Sequence, residues 1–305
     1  MKPRLSRRRF LGSAATALAG APFIARGASR EGFEIGLVAD AQFADIEAKG
    51  TRFYRASLAR LEAAVEHFNG RDLAFGVHLG DLIERDWSSF DAITRPLTRS
   101  RHAWHQVLGN HDFDVADEKK TAVPSRLGIA PRRKAFDHGA FRFVILDTND
   151  VSTYAHPAGA PARAEAEREL ARLQAAGVRQ AKPWNGGIGT EQRAWLDRIC
   201  GEARTAGRKV VVLAHHPVYP DNDHNVWNAA EVLAVLDRHP QVVAWFNGHN
   251  HAGNFGVRSR VPFVTLRGMV ETQDTSAFAV ARVLSDRIVL TGQGREPSRE
   301  LVFRA

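Results

Sequence analysis

The sequence has very little cysteine and lacks long apolar runs. It contains one cysteine, Cys200, in 305 residues, so neither an intrachain disulfide nor a thiolate metal cluster can form. No run of about 18 or more apolar residues occurs, which excludes a polytopic membrane protein. The composition, with 44% hydrophobic and 25% charged residues, is typical of a globular chain with ample material for a core. Disordered and fibrous classes are therefore excluded.

Acidic residues are absent from the first 30 positions, and this absence explains the charge of the whole chain. The formal net charge is +8, of which residues 1–30 contribute seven units and residues 31–305 only one. A nearly neutral body does not imply a basic surface for nucleic acid. We therefore expect no nucleic-acid partner.

The N-terminal segment has the layout of a secretory signal. Ser6-Arg7-Arg8-Arg9-Phe10-Leu11 precedes an apolar stretch, Gly12 to Ile24, that is rich in alanine and glycine. The paired arginines before Phe-Leu look like a twin-arginine export signal, which a receptor reads; the alternative is a basic amphipathic first helix. We expect residues 1–28 to be the signal peptide and residues 29–305 one domain. The twin-arginine machinery would then export a bacterial periplasmic or secreted protein, with no membrane span in its mature form.

Short apolar runs alternate with helical patterns in the rest of the chain. Apolar strands are predicted near residues 33–39, 73–79, 104–108, 141–146, 210–214 and 242–246. Helical periodicity appears at Leu58, Leu61, Val65 and Phe68, and again after Thr190. From Val261 onward, strands follow one another without helices. This alternation favours an α/β sheet, and the late strands favour mixed pairing.

Polar residues with an oxygen or nitrogen donor in the side chain follow five of these apolar strands. They are Asp40, Asp81, Asn110, His215 and His249. Ligands of open α/β sheets bind beyond the carboxyl ends of the strands, so these side chains can converge on one point. Oxygen and nitrogen donors without sulfur suit Mn²⁺, Fe, Zn²⁺ or Co²⁺. Each motif alone is weak, because a strand-terminal Asp is often a helix cap, but five in order are hard to attribute to accident.

These motifs resemble those of the calcineurin-like metallophosphoesterase superfamily. Its blocks are Asp-x-His, Gly-Asp, Gly-Asn-His-Asp/Glu, His and Gly-His-x-His. The corresponding segments here are Asp40-Ala41-Gln42, Gly80-Asp81, Gly109-Asn110-His111-Asp112, His215 and Gly248-His249-Asn250-His251. Gln42 stands where most of the superfamily has histidine. In this Asp-x-Gln motif the sequence resembles the manganese-dependent ADP-ribose/CDP-alcohol diphosphatase branch. Flanking segments agree, including Asn185-Gly186-Gly187 and Val270-Glu271-Thr272.

The resemblance implies a fold and a dinuclear metal centre. The fold would be a four-layer sandwich of two mixed β-sheets flanked by helices. One metal would be held by Asp40, Gln42 and His251, and the other by Asn110, His215 and His249. Asp81 would bridge them. Mn²⁺ is favoured as the metal, with Fe, Zn²⁺, Co²⁺ or Mg²⁺ as alternatives.

The resemblance also implies roles for residues that do not bind metal. A water shared by the two cations would be the nucleophile. His111 would stand near the leaving oxygen as the catalytic residue, with Asp112 or Glu84 orienting its ring. Tyr219, Trp227 and Asn228, in the loop after His215, would either contact substrate or only pack the loop. His216 is expected on the opposite strand face and outside the ligand set.

Together these features predict a metal-dependent phosphoric ester or pyrophosphate hydrolase. The substrate would be a small phosphoester or nucleoside diphosphate compound, similar to ADP-ribose or CDP-alcohols. The first alternative is a general phosphodiesterase or phosphomonoesterase using the same site. The second is a scaffold of the same fold that has lost catalysis. Damaged ligands would favour that scaffold, but every ligand position here carries a competent donor.

Overall fold

Two mixed sheets form the centre of the protein, which we describe from a computed structural model over residues 32–303. In this part of the chain, each sheet contains six strands. The first has the order β12-β11-β10-β1-β2-β3. Its strands are β1 (Phe33–Val38), β2 (Leu73–His78), β3 (Trp104–Gln106), β10 (Ala277–Val283), β11 (Arg287–Gly294) and β12 (Arg299–Val302). β1, β2 and β3 are parallel, whereas β10 pairs antiparallel with β1 and begins an antiparallel meander.

The second sheet has the order β4-β5-β6-β7-β9-β8. Its strands are β4 (Lys134–His138), β5 (Phe141–Ile145), β6 (Lys209–Leu213), β7 (Val242–Asn247), β8 (Asn254–Arg258) and β9 (Val261–Thr265). β5, β6, β7 and β9 are parallel, and an antiparallel strand flanks them at each edge. These edge strands, β4 and β8, were not predicted, because exposed edge positions lack the continuous apolar run that marks a buried strand.

Helices cover the outer faces of both sheets and complete the four layers. The helices are α1 (Ala56–Asn69), α2 (Ser89–Ile93), α3 (Arg95–Thr98), α4 (Val123–Arg126), α5 (Pro161–Ala175), α6 (Thr190–Thr205) and α7 (Ala229–Leu236). Phe68 of α1 packs edge-on against Phe278 of the first sheet, with ring centroids 5.4 Å apart. Leu196 of α6 and Val232 of α7 share a buried cluster with Val210 and Val212 of the second sheet. The predicted fold class is therefore confirmed.

The two sheets pack face to face through aromatic side chains. Phe75 of β2 meets Phe143 of β5 edge-on at 5.0 Å, and Phe33 of β1 meets Phe141 at 5.9 Å. These rings lie toward the amino ends of the parallel strands. The carboxyl ends of β1, β2 and β3 therefore meet those of β6 and β7 at the other end of the sandwich. Over residues 32–303, no helix is both long and apolar enough to span a membrane.

Candidate metal centre

The loops after five parallel strands place the predicted donors around one point. Ligand atoms of Asp40, Asp81 and His215 lie within 4.8 Å of one another, and all three residues are buried. Asp81 Oδ2 lies 3.2 Å from His215 Nε2 and accepts a hydrogen bond from Gln42 Nε2 at 3.1 Å. Asp81 thus contacts a member of each predicted metal set. This is the position that a bridging carboxylate requires.

The remaining donors extend this cluster on both sides. On one side, His251 Nε2 lies 3.6 Å from Asp40 Oδ1 and 3.2 Å from Gln42 Nε2. On the other, Asn110 Oδ1 lies 3.1 Å from His215 Nε2. The ring of His249 lies 5.1 Å from that of His215. The structure thus brings together all seven residues predicted as metal ligands.

Unusual backbone conformations hold four of these residues in place. Asp40, Gln42, Asp81 and His249 have φ angles of 51°, 44°, 58° and 70°. Non-glycine residues in this left-handed region are uncommon and cluster at functional sites. The neighbouring glycine is required by space, because a Cβ on Gly248 would lie 2.6 Å from Asp40 Oδ2. The Gly-His pairing of the last motif therefore has a steric cause.

Each of the three predicted histidine ligands has one ring nitrogen fixed by an oxygen acceptor, which leaves the other nitrogen for a cation. The donor and acceptor pairs are His215 Nδ1 with the Leu79 carbonyl (2.8 Å), His249 Nε2 with Asn185 Oδ1 (2.8 Å) and His251 Nδ1 with Glu271 Oε1 (2.7 Å). Such outer partners fix the tautomer and orientation of metal-binding imidazoles. Asn185 and Glu271 carried no predicted role, although both lie in segments that carry the family resemblance.

The electrostatics of the cluster favour cations. Burial alone would lower the pKa of His215, but the carboxylates of Asp81 and Asp40 raise it to about 9. Burial raises the pKa of Asp40, although the nearby imidazoles oppose this shift. Burial, together with neighbouring histidines, holds the pKa of His249 well below its usual value, so that ring is neutral and has a free lone pair. A buried pair of carboxylates attracts positive charge to this point.

His111 lies at the edge of the cluster, and Glu84 orients it. The His111 Nδ1 donates to the Glu84 carbonyl at 3.2 Å and lies 3.3 Å from Glu84 Oε2. Asp112, the other predicted partner, instead accepts hydrogen bonds from the backbone N–H groups of Gly109, Leu82 and two neighbouring residues. Of the two predicted partners, Glu84 therefore orients His111, whereas Asp112 holds the loop of Asp81. A 3₁₀ turn at His111–Phe113 directs its carboxylate into the loops that carry Asp81.

The cluster opens into a cavity of about 370 Å³. Besides predicted ligands and His111, its lining includes Arg52, Trp184 and His224. Trp184 is 45% exposed, unusual for so large an apolar side chain. None of these three residues was singled out from the sequence, because no motif marks them and they come from distant loops.

The predicted substrate residues do not line this cavity. The ring of Tyr219 packs on Phe263 at 5.4 Å, and the Trp227 indole donates to the Lys182 carbonyl at 3.0 Å. Asn228 exchanges hydrogen bonds with the backbone of Ile188. Trp227 and Asn228 line a different cavity of about 500 Å³, which contains none of the predicted metal ligands. Of the two interpretations, these contacts favour loop packing, and contact with the substrate stays a prediction.

His216 was expected to point away from the site, but it lies beside it. Its ring is 4.0 Å from that of His249. Its Nδ1 lies 2.6 Å from Thr148 Oγ1, and its Nε2 lies 3.4 Å from the Trp184 carbonyl. The chain leaves the extended conformation after β6, so strand alternation does not apply there. Both ring nitrogens have protein partners, and a ligand atom of His216 also lies within 4.8 Å of ligand atoms of His215 and His249.

Comparisons with known proteins agree with this geometry. The family model described as calcineurin-like phosphoesterase matches residues 33–253. A manganese-dependent ADP-ribose/CDP-alcohol diphosphatase from Homo sapiens is 31% identical, over 89% of this chain and 93% of the relative. A diphosphatase of the same name from Oryza sativa subsp. japonica is 28% identical, over 89% and 94%.

Solved structures extend the comparison to three dimensions. A dimetal phosphatase from Danio rerio has a TM-score of 0.82 at 28% identity, covering 89% of this chain and 99% of that one. An inner-membrane-complex anchor of Plasmodium shares the fold alone, with a TM-score of 0.54 at 12% identity over 90% and 89%. The predicted metal-dependent phosphoester hydrolase is confirmed at the level of the family. The chain belongs to the calcineurin-like phosphoesterase family.

Proposed function

We propose that this chain is a two-cation hydrolase that cleaves the pyrophosphate bond of nucleoside diphosphate compounds. ADP-ribose and CDP-alcohols are the proposed substrate class, and Mn²⁺ is the proposed metal. The observation that carries the proposal is the convergence of two donor sets on Asp81. The names of relatives that align over nearly their whole length support the substrate class.

The donor set fits two divalent cations. Asp40, Gln42 and His251 would hold one, and Asn110, His215 and His249 the other. Gln42 Oε1 is buried without a hydrogen-bond partner in the described structure, so an oxygen donor remains free at this point. Oxygen-rich donor sets favour Mn²⁺ or Mg²⁺ over softer metals. When bound, two cations would neutralise charge on the phosphate and acidify a water molecule.

The reaction adds water to one phosphorus atom and breaks the bond to the bridging oxygen, so that two phosphate monoesters are released. The proposed leaving group is therefore a phosphate. His111 Nδ1 is occupied by Glu84, which leaves Nε2 to donate a proton or a hydrogen bond to the departing oxygen. The Glu84 carboxylate, 3.3 Å from Nδ1, would hold the ring in this orientation. No nucleophilic side chain is needed.

The mouth of the cavity supports a substrate with a flat ring. Trp184 is the large exposed aromatic residue of the lining, and its backbone carbonyl lies within 3.4 Å of His216 Nε2. An exposed indole offers a stacking surface that accepts any nucleobase. This matches a substrate class in which adenine and cytosine compounds are both cleaved.

A substrate panel tests the proposal. The metal-loaded protein is incubated with ADP-ribose, CDP-choline, bis(p-nitrophenyl) phosphate and p-nitrophenyl phosphate, and AMP, CMP or nitrophenol is quantified. An Asp81→Ala preparation controls for contaminating hydrolases. We expect Mn²⁺-dependent release of AMP and CMP with kcat/KM at least about tenfold above that for either nitrophenyl ester, a difference of about 1.4 kcal/mol. Faster cleavage of a nitrophenyl ester would indicate a general phosphodiesterase or phosphomonoesterase. No cleavage with both metals verified would indicate a non-catalytic scaffold.

We further propose that the twin-arginine route exports the protein to the periplasm. The support is the arrangement of Arg7, Arg8, Phe10 and Leu11 before an apolar stretch; residues 1–31 lie outside the described structure. Replacing Arg7 and Arg8 with lysine should abolish export of the full chain, measured by fractionation of cells. N-terminal sequencing of the exported protein should give a start near residue 28. Continued export of the lysine variant would contradict the twin-arginine route.

A further inference from the structure

Arg52 differs in charge from the other groups that line the metal-centre cavity. The lining contains neutral amides, an indole, several imidazoles and the carboxylate of Asp81. Arg52 is the one side chain among these described residues that is positively charged at every physiological pH. Its side chain is 36% exposed, so its guanidinium is accessible to water and to a ligand.

Contacts of both its backbone and its side chain fix the position of Arg52. The segment around Arg52 pairs with the segment around Glu271: Phe53 N donates to the Val270 carbonyl at 2.9 Å, and Thr272 N donates to the Thr51 carbonyl at 2.7 Å. The Arg52 Nε lies 3.6 Å from Glu271 Oε1.

The contacts of Arg52 leave donor capacity unused. At 3.6 Å, its pairing with Glu271 is loose, and Glu271 already accepts a hydrogen bond from His251 at 2.7 Å. A guanidinium carries five N–H donors in a planar fork that matches two oxygens of a phosphate. A positioned and partly unsatisfied arginine beside a metal centre is suited to bind an anionic group of the substrate.

We propose that Arg52 binds the second phosphate of the substrate, the one that the cations do not hold, and so gives the site its preference for diphosphates over simple phosphodiesters. This inference rests on the proposed function. A pyrophosphate diester carries one negative charge on each phosphate. The two cations that Asp81 would bridge neutralise the charge of the phosphate that is attacked. The charge of the other phosphate needs a separate positively charged group. A phosphodiester has no second phosphate and makes no use of Arg52.

Kinetics of matched arginine variants test this role. Arg52→Ala should lower kcat/KM for ADP-ribose by about 10–100-fold, which is the loss expected when hydrogen bonds to a charged group are removed. Most of this loss should come from a higher KM. The same change should alter hydrolysis of bis(p-nitrophenyl) phosphate by less than about threefold. Arg52→Lys should restore part of the loss, since it keeps the charge but not the fork. Arg55→Ala is the control, because Arg55 lies three positions away and pairs with exposed Asp45 and Glu47.

Equilibrium binding separates this proposal from the proposed function. The probes are α,β-methylene-ADP, a diphosphate that is not cleaved at that bond, and AMP, both with Mn²⁺-loaded protein of measured metal content. Arg52→Ala should weaken binding of the diphosphate by about 10–100-fold and that of AMP by less than about threefold. Equal loss for both probes, or equal kinetic loss for diester and diphosphate, would mean that Arg52 acts only through Glu271 and would overturn the proposal. If the wild type cleaves the diester but not ADP-ribose, the proposed function fails, whereas the two probes still decide the role of Arg52.

Discussion

Glu271 should control how tightly the first cation is held, although it is not itself a predicted ligand. Its Oε1 accepts the hydrogen bond of His251 Nδ1 at 2.7 Å, with both side chains largely buried. This hydrogen bond lowers the pKa of Glu271 to about 2, although burial acts in the opposite direction. The carboxylate is therefore ionised throughout pH 5–9, and it fixes the tautomer and orientation of the imidazole.

The magnitude follows from the type of hydrogen bond that each variant loses. A charge-assisted hydrogen bond contributes about 2 kcal/mol and a neutral one about 1 kcal/mol. Glu271→Gln keeps an acceptor but loses the charge, so Mn²⁺ affinity should fall about fivefold. Glu271→Ala loses both and should reduce the affinity about 30-fold, within the range of about 10–100-fold known for such partners.

The assay is Mn²⁺ content after dialysis, together with the Mn²⁺ concentration that gives half-maximal activity at saturating substrate. Saturation is needed because Glu271 also contacts Arg52. Glu47→Gln serves as the control, since this exposed carboxylate pairs only with Arg55 in the described structure. Because the folded-state pKa is about 2, the ratio between wild type and variant should be constant from pH 6 to 9. An unchanged Mn²⁺ midpoint in Glu271→Ala would refute the reasoning, because it would show that His251 binds the cation equally well without this hydrogen bond.

Four other variants examine the remaining parts of the site. Asp81→Ala should abolish activity and most metal loading, measured by elemental analysis, because Asp81 Oδ2 lies within 3.2 Å of both Gln42 and His215, one residue from each donor set. His111→Ala should keep its metals but lose about 10²–10⁴ in kcat, with a smaller loss for nitrophenyl than for alkyl leaving groups. Gln42→His should retain metal better on dialysis and depend less on added Mn²⁺, because imidazole binds more tightly than an amide oxygen. Arg60→Met should cost about 3 kcal/mol of stability in thermal unfolding and also weaken Mn²⁺ retention. Its buried guanidinium donates to the carbonyls of residues 269–273, in the loop that carries Glu271.

The predicted metal ligands could be identified as candidates because a short-range rule governs their placement. Each follows an apolar strand, and parallel strands of a sandwich deliver their carboxyl ends to one edge. Asp40 and Asp81 follow adjacent strands of the first sheet, while His215 and His249 follow adjacent strands of the second. Sequence alone therefore predicts that the candidate ligands of each sheet converge at one edge of that sheet. It does not predict that the carboxyl ends of two separate sheets meet, which is implied only by the resemblance to a family.

The sequence was less informative where a contact depends on packing between distant parts of the chain. Trp227 follows His215 by twelve positions, but α5 covers it, and it is buried with Ala166, Leu170 and Leu173. Proximity in sequence to a ligand is therefore a poor guide once a helix from another part of the chain intervenes. The choice between Asp112 and Glu84 likewise depends on the 3₁₀ turn after Asn110, which no periodic pattern marks.

Asn185 and Glu271, which carried no predicted role, share one physical task, which is to fix predicted ligands before any cation is bound. Each accepts a hydrogen bond from a histidine in another part of the chain, and Asp112 likewise holds the loop of Asp81. Four of the ligands also have left-handed backbone conformations, each of which costs about 1 kcal/mol or more. Such a cost persists only when surrounding contacts determine the conformation. The hydrogen bond from His249 N to Asp40 Oδ1, at 3.0 Å, is one such contact, because it joins the two sheets at the point where their ligands meet. The rigidity of the centre thus resides in these long-range hydrogen bonds, and a ligand motif transferred without them would bind its metals more weakly.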